Sequence, residues 1–143
     1  MKIKTIELKV LEYSNIDELP ELDKRLLLSA RAAGNNAYAP YSGFRVGAAV
    51  FLENGEIVTG NNQENAAYPS GLCAERIALF YASSNFPSVA VRALAVSTLN
   101  NGDITSGVAK PCGACRQVIS EYEDLAKSPV RIILDGGKHI CVF

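Results

Sequence analysis

Phe44-Arg45-Val46-Gly47-Ala48-Ala49-Val50-Phe51-Leu52 runs through Glu53-Asn54-Gly55 into Glu56-Ile57-Val58-Thr59-Gly60-Asn61. An Asn-Gly pair between two strand-forming stretches is a strong hairpin signal, so residues 44–52 and 56–61 are predicted to be antiparallel neighbours. Upstream, residues 21–33 carry Leu22, Leu26, Leu27 and Ala30 at helical spacing and stop at Gly34-Asn35-Asn36, which predicts a first helix. Residues 2–13 are rich in β-formers and read as a strand or extended arm. Downstream, residues 73–82 and 113–122 have helical character. Residues 89–98, 130–134 and 139–143 read as strands, and Asn100-Asn101-Gly102 reads as the start of a loop. Strands alternating with helices give an α/β layer fold, and the hairpin makes the sheet mixed. The expectation is a three-layer α/β/α sandwich with about five strands and three helices, formed by one domain over residues 1–143.

At 143 residues with 48% hydrophobic side chains, the chain has enough apolar surface for one continuous core. Its formal net charge is -1, so no global field draws it to phosphate backbones, and a nucleic-acid polymer is not the expected partner. Residues 1–10 interrupt their apolar side chains with Lys2, Lys4, Glu7 and Lys9, unlike a signal peptide, and no apolar run reaches membrane-spanning length. A cytoplasmic location is expected, and there four cysteines point to metal or redox chemistry in preference to disulfides.

The chemistry concentrates in Cys73-Ala74-Glu75 and Pro111-Cys112-Gly113-Ala114-Cys115. Three thiolates with a carboxylate two residues from the first suit a catalytic zinc ion, which keeps one coordination position for water, whereas a structural zinc is normally closed by four protein ligands. Cys73 and Cys112 each stand where a helix begins, so orphan N–H groups and about half a positive charge at each helix N-terminus favour the thiolates. One Zn²⁺ with three thiolates still sums to about -1, and Arg76, one turn above Cys73, is placed to offset the excess. Glu75 is expected to act as general base and then general acid.

Alternatives stand beside this. A lone C-x-x-C also serves redox pairs, and Cys141 offers a fourth sulfur for a closed zinc site, although it sits in an apolar strand-like run and reads as an inert buried thiol. His139, the only histidine, is assigned no role. A noncatalytic zinc-stabilised module is the reading from a different functional class.

Four blocks in order, Tyr41-Ser42-Gly43-Phe44-Arg45-Val46-Gly47-Ala48-Ala49, Asn62-Gln63-Glu64-Asn65, Cys73-Ala74-Glu75-Arg76 and Pro111-Cys112-Gly113-Ala114-Cys115-Arg116-Gln117, resemble the homotetrameric zinc-dependent cytidine deaminases. The likeness runs from roughly Leu22 to Leu134. Residues 1–20 add nothing to it, and where many relatives continue past the last strand into a short Leu-Leu-Pro segment, this sequence stops at Phe143. The resemblance implies hydrolytic deamination of free cytidine and 2′-deoxycytidine in pyrimidine salvage, with one zinc per subunit. It also implies that Asn62 and Glu64 hold the ribose, that Phe44 packs against the pyrimidine, and that Ala74 offers its backbone N–H to the base carbonyl. Arg76 would moderate the thiolate charge. A relative acting on another aminopyrimidine, of the blasticidin S type, is the nearest enzymatic alternative, and the Asn62-x-Glu64-Asn65 block argues against it.

Overall fold

A computed structural model describes residues 1–143. The elements run β1 (Leu11–Tyr13), α1 (Glu21–Gly34), β2 (Arg45–Leu52), β3 (Ile57–Asn61), α2 (Ala74–Asn85), β4 (Val91–Asn100), β5 (Asp103–Ile104), α3 (Gly113–Ala126), β6 (Arg131–Asp135) and β7 (Ile140–Val142). The expected hairpin forms: β2 pairs antiparallel with β3, Val50 lies opposite Val58, and Gly55 takes the φ of +92° that the turn requires. The sheet order is β1-β7-β6-β4-β2-β3, with β5 folded back on the end of β4. Only β4 and β6 run parallel, and α3 supplies the crossover that such a pair needs.

Side chains alternate across the sheet and divide the core in two. Ala49, Ala93, Ala95, Ile133, Ile140 and Val142 meet Leu26, Leu27 and Ala30 of α1 on one side. Ala48, Val50, Val58, Leu94, Val96 and Leu134 meet Ala78 and Leu79 of α2 and Ile119 of α3 on the other. This is the expected α/β/α sandwich.

Seven strands form where the sequence reading counts about five. Of the arm at residues 2–13, only Leu11–Tyr13 becomes strand, since β7 presents it a partner of only three residues. The other addition, β5, follows Asn101 at φ +52° and Gly102 at φ +90°, so the stretch read as a loop closes a second, very short hairpin.

Two glycines set the layer spacing. A Cβ on Gly47 would lie 1.9 Å from the Ala30 carbonyl of α1, and one on Gly60 would lie 2.6 Å from the Ala78 nitrogen and 2.9 Å from the Ala74 carbonyl of α2. The first turns of α2 therefore rest directly on the backbone of β3. On the α1 side, Asp135 is buried at the end of β6, where Arg31 donates from Nε at 2.7 Å and Nη2 at 3.0 Å, Ser97 Oγ donates at 2.7 Å and the Gly137 N–H donates at 2.9 Å. Burial alone would raise its pKa, but Arg31, Ser97 and Gly137 together hold its carboxyl below the usual carboxylate range.

Candidate metal centre and substrate cleft

Cys73 and Cys112 are the N-cap residues of α2 and α3, and neither helix has a side-chain cap hydrogen bond at that end. At Cys112 free backbone N–H groups are aimed at sulfur. Those of Cys115 and Ala114 meet Cys112, and together with the Cys73 and Cys115 side chains they hold its thiol below its ordinary pKa. Cys115 lies one turn into α3 and is fully buried. Burial pushes its thiol far up, and the charge of Glu75 adds to this.

The sulfurs of Cys73 and Cys112 are 3.9 Å apart, and those of Cys112 and Cys115 are 3.6 Å apart. All three lie within 4.8 Å of one another, and none is in a disulfide. Sulfurs each about 2.3 Å from one tetrahedral centre stand about 3.8 Å from one another, so the spacing fits a shared zinc ion. Arg76 supports the same assignment: its Nη2 is 3.8 Å from Cys73 Sγ, and its Nε is buried with no hydrogen-bond partner. A guanidinium held this way is matched by thiolate charge, not by neutral thiols. Contact with Cys73 raises the Arg76 pKa above its ordinary value, so it stays charged.

Glu75 occupies the first turn of α2 and is 6% exposed. Burial lifts its carboxyl above the usual range against the pull of its own N–H, Cys115 and Arg76. It lines, with Cys73 and Cys112, one part of a cleft of about 710 Å³. That volume is within the range of small-molecule sites.

Phe44, Asn62, Glu64 and Ala74 line the same cleft. Asn62 Oδ1 accepts from the Val46 N–H at 2.7 Å and its Nδ2 donates to the Phe44 carbonyl at 3.0 Å, which fixes the entry to β2. Glu64 accepts from the Tyr41 N–H at 2.9 Å, from the Ser42 N–H at 3.3 Å, and from Ser42 Oγ in a short contact. The Ser42 hydroxyl first, then the Tyr41 N–H, hold its carboxyl below the usual range, so it is an acceptor. Asn62 and Glu64 are half-buried and keep lone pairs and one N–H for a ligand. Phe44 is 42% exposed and presents its ring to solvent, with β2 starting one residue later than expected, at Arg45.

The site residues read from sequence are therefore gathered around one cleft. That reading did not include Ser42 and Tyr41, which hold Glu64, or Lys110, which lines the cleft beside the ligand loop. Nor did it include Arg116, whose Nε donates to the Pro111 carbonyl at 2.9 Å and braces that loop. Tyr41, Ser42 and Arg116 stand within the quoted blocks, and block membership was the available signal. His139 and Cys141 lie apart from the cleft, at the β1–β7 edge.

Residues 20–129 match the family model described as the cytidine and deoxycytidylate deaminase zinc-binding region. The chain is 46% identical over 99 residues to the cytidine deaminase of Sporosarcina psychrophila, covering 69% of this chain and 68% of that one. It is 42% identical over 101 residues to the enzyme of the same name from Halalkalibacterium halodurans, covering 70% and 72%. The crystal structure of cytidine deaminase from Burkholderia pseudomallei superposes with a TM-score of 0.69 at 39% identity, over 83% of this chain and 89% of that one. Matching spacing, matching thiolate geometry and this extent of similarity lead to one conclusion: the chain belongs to the cytidine and deoxycytidylate deaminase zinc-binding family.

Proposed function

We propose that the protein hydrolyses free cytidine and 2′-deoxycytidine to uridine and 2′-deoxyuridine, releasing ammonia. The observation that carries this reading is the juxtaposition in one cleft of a buried carboxylate beside three convergent sulfurs with a second, ionised carboxylate held by the Tyr41–Ser42 backbone. Zinc, held by Cys73, Cys112 and Cys115, supplies Lewis acidity that makes water a nucleophile at neutral pH.

Glu75 moves the protons. It takes one from the attacking water as the oxygen adds to C4 of the base and gives it to N3, then takes the remaining proton from the hydroxyl now on C4 and delivers it to the amine as the C4–N bond breaks and the carbonyl forms. Water is consumed and ammonia is lost, so the ring gains a carbonyl oxygen. The Ala74 backbone N–H orients the base carbonyl, and Phe44 packs on the ring. Asn62 and Glu64 take the sugar hydroxyls, and an analogue lacking the 3′-hydroxyl would leave these polar groups unpaired at a large cost. Arg76 offsets the thiolate charge.

This reading includes one catalytic domain over residues 1–143, with residues 1–20 as an extension. It places the enzyme in the cytoplasm, in pyrimidine salvage, as a homotetramer. No helix is long and apolar enough to cross a membrane.

The test follows the fall in ultraviolet absorbance as cytidine becomes uridine, with and without a zinc chelator. Turnover that stops with the chelator and returns with zinc supports the proposal. Stoichiometric zinc with no turnover of either nucleoside overturns it and favours a metal that only holds the fold.

A further inference from the structure

The antiparallel register of β1 and β7 sets Glu12 directly opposite Cys141. Directly paired residues project to the same face of a sheet, and His139, the residue just before β7, brings its ring to the same place. Ile140 and Val142 point into the core against α1, which leaves Cys141 and His139 on the opposite side of the sheet edge. Here the three side chains converge. His139 Nε2 is 3.4 Å from Cys141 Sγ and 3.6 Å from Glu12 Oε1, and all three donor atoms lie within 4.8 Å of one another.

Both contacts fall on the same ring nitrogen. A nucleophile-base-carboxylate relay needs one imidazole nitrogen for each neighbour, so this is not such a relay. One N–H also cannot be well aligned to a sulfur and a carboxylate at once. A shared point between the three atoms answers all of them. With metal bonds of about 2.3 Å to sulfur and about 2.1 Å to nitrogen and oxygen, tetrahedral edges are about 3.6 Å for sulfur to nitrogen and about 3.4 Å for nitrogen to oxygen. The observed separations match both within a few tenths of an ångström. Sulfur, imidazole and carboxylate together suit a borderline ion such as Zn²⁺ and not Ca²⁺ or Mg²⁺, which prefer oxygen. One thiolate, one carboxylate and a neutral imidazole balance two positive charges.

We propose that Glu12, His139 and Cys141 form a second divalent transition-metal site, separate from the three-cysteine centre, with water completing the coordination. His139 and Glu12 are 49% and 63% exposed at their side chains, so an ion enters from solvent, while Cys141 anchors the site from below. The ion ties β1, a strand of three residues at the sheet edge, to β7. No residue before Leu11 is helix or strand, so this clamp is where the amino-terminal segment is fastened. An ion bound only by the folded chain stabilises it by mass action.

The test uses the full chain. After equilibration with excess Zn²⁺ and removal of unbound metal, elemental analysis is expected to give two zinc ions per chain for the natural sequence and one for His139→Asn. Because His139 is exposed, that variant stays folded, and cytidine turnover in it is unchanged. Co²⁺ added to protein whose three-cysteine centre already holds zinc is expected to give a thiolate-to-cobalt charge-transfer band, absent from Cys141→Ser. Amide exchange at Leu11–Tyr13 is expected to slow about tenfold on adding Zn²⁺ to the natural sequence and not to His139→Asn. One zinc per chain in the natural sequence, or a second zinc that persists in both variants, overturns the proposal. Zinc content, the cobalt band and amide exchange are all read without cytidine, so the second site fails or stands independently of the deaminase reading.

Discussion

Asp135 and Glu75 are both buried carboxylates, 1% and 6% exposed, on opposite sides of the same sheet. Asp135 accepts four hydrogen bonds, two of them from one guanidinium, and its carboxyl is held down. Glu75 has no comparable set of donors: its own N–H and Cys115 oppose burial only in part, and its carboxyl is pushed up. The sequence cost of the two is similar, one acidic residue each, yet the surroundings drive them apart. Asp135 is satisfied by the fold and ties α1 to β6. Glu75 is left short of partners by the fold, which is what the proposed proton transfer requires of it.

The strongest way to break this comparison is Glu75→Gln. The amide keeps the shape and loses the proton chemistry, so turnover of cytidine should fall by roughly 10²- to 10⁴-fold or more, with zinc content and melting temperature preserved. Stopped turnover with full zinc is the expected pairing. Unchanged turnover would show that Glu75 is only a helix-start carboxylate.

Gly60→Ala displaces the carrier of Glu75 and leaves Glu75 itself in place. The added Cβ meets backbone atoms of α2, which cannot rotate away as side chains do. Overpacking of this kind costs about 3 kcal/mol, and α2 moves outward with Cys73 and Glu75. Zinc retention under a competing chelator and stability to urea should fall together. A variant that loses neither would show that α2 does not need its close seat on β3.

How legible these features are in sequence depends on the range of the interactions behind them. The Asn54-Gly55 hairpin and the Cys73-x-Glu75 and Cys112-x-x-Cys115 blocks are each set by spacing over a few residues, and the hairpin and the cluster of three sulfurs both form. The second Asn-Gly, Asn101-Gly102, carries the same signal but reads as a loop in sequence, because its returning strand is only Asp103–Ile104 and shows no alternation. Glu64 was legible as a site residue, but its tether to Ser42 depends on the path of the intervening chain, more than 20 residues long. The Glu12, His139 and Cys141 cluster was invisible for a stronger reason: strand register alone joins the two ends of the chain. The Arg31–Asp135 pair was hidden in the same way.

Asp135→Asn tests the satisfied half of the comparison. Arg31 keeps 20% of its side chain exposed and can recover some hydration, so the loss should be about 2 to 3 kcal/mol, below the full cost of orphaning a buried charge. Turnover per folded molecule should not change. Because the folded pKa is depressed, the stability that Asp135 contributes is complete above its unfolded pKa of about 3.9 and is lost as pH falls through the lower folded value. Urea unfolding from pH 7 downward should therefore show a flatter acid limb in the variant. Parallel acid limbs would mean that Asp135 is not the group that ties this side of the sheet together.

The smallest effect is expected at Arg76, which links the two kinds of burial: a cation whose Nε lacks a partner, set against sulfurs that carry excess negative charge. Removing it in Arg76→Gln leaves the three thiolates more negative and more readily protonated, which weakens their hold on zinc and lowers the Lewis acidity the centre supplies. Loss of such outer partners typically costs 10- to 100-fold in metal affinity or activity. The long 3.8 Å contact to Cys73 puts this case at the lower end, about tenfold in both zinc affinity and turnover. Arg76→Lys separates charge from geometry, since lysine restores a point charge without the planar fork. If charge is what matters, Arg76→Lys should recover most of the loss. If it remains as impaired as Arg76→Gln, the directed N–H is the active element, and natural zinc retention and turnover in both variants would remove Arg76 from the site altogether.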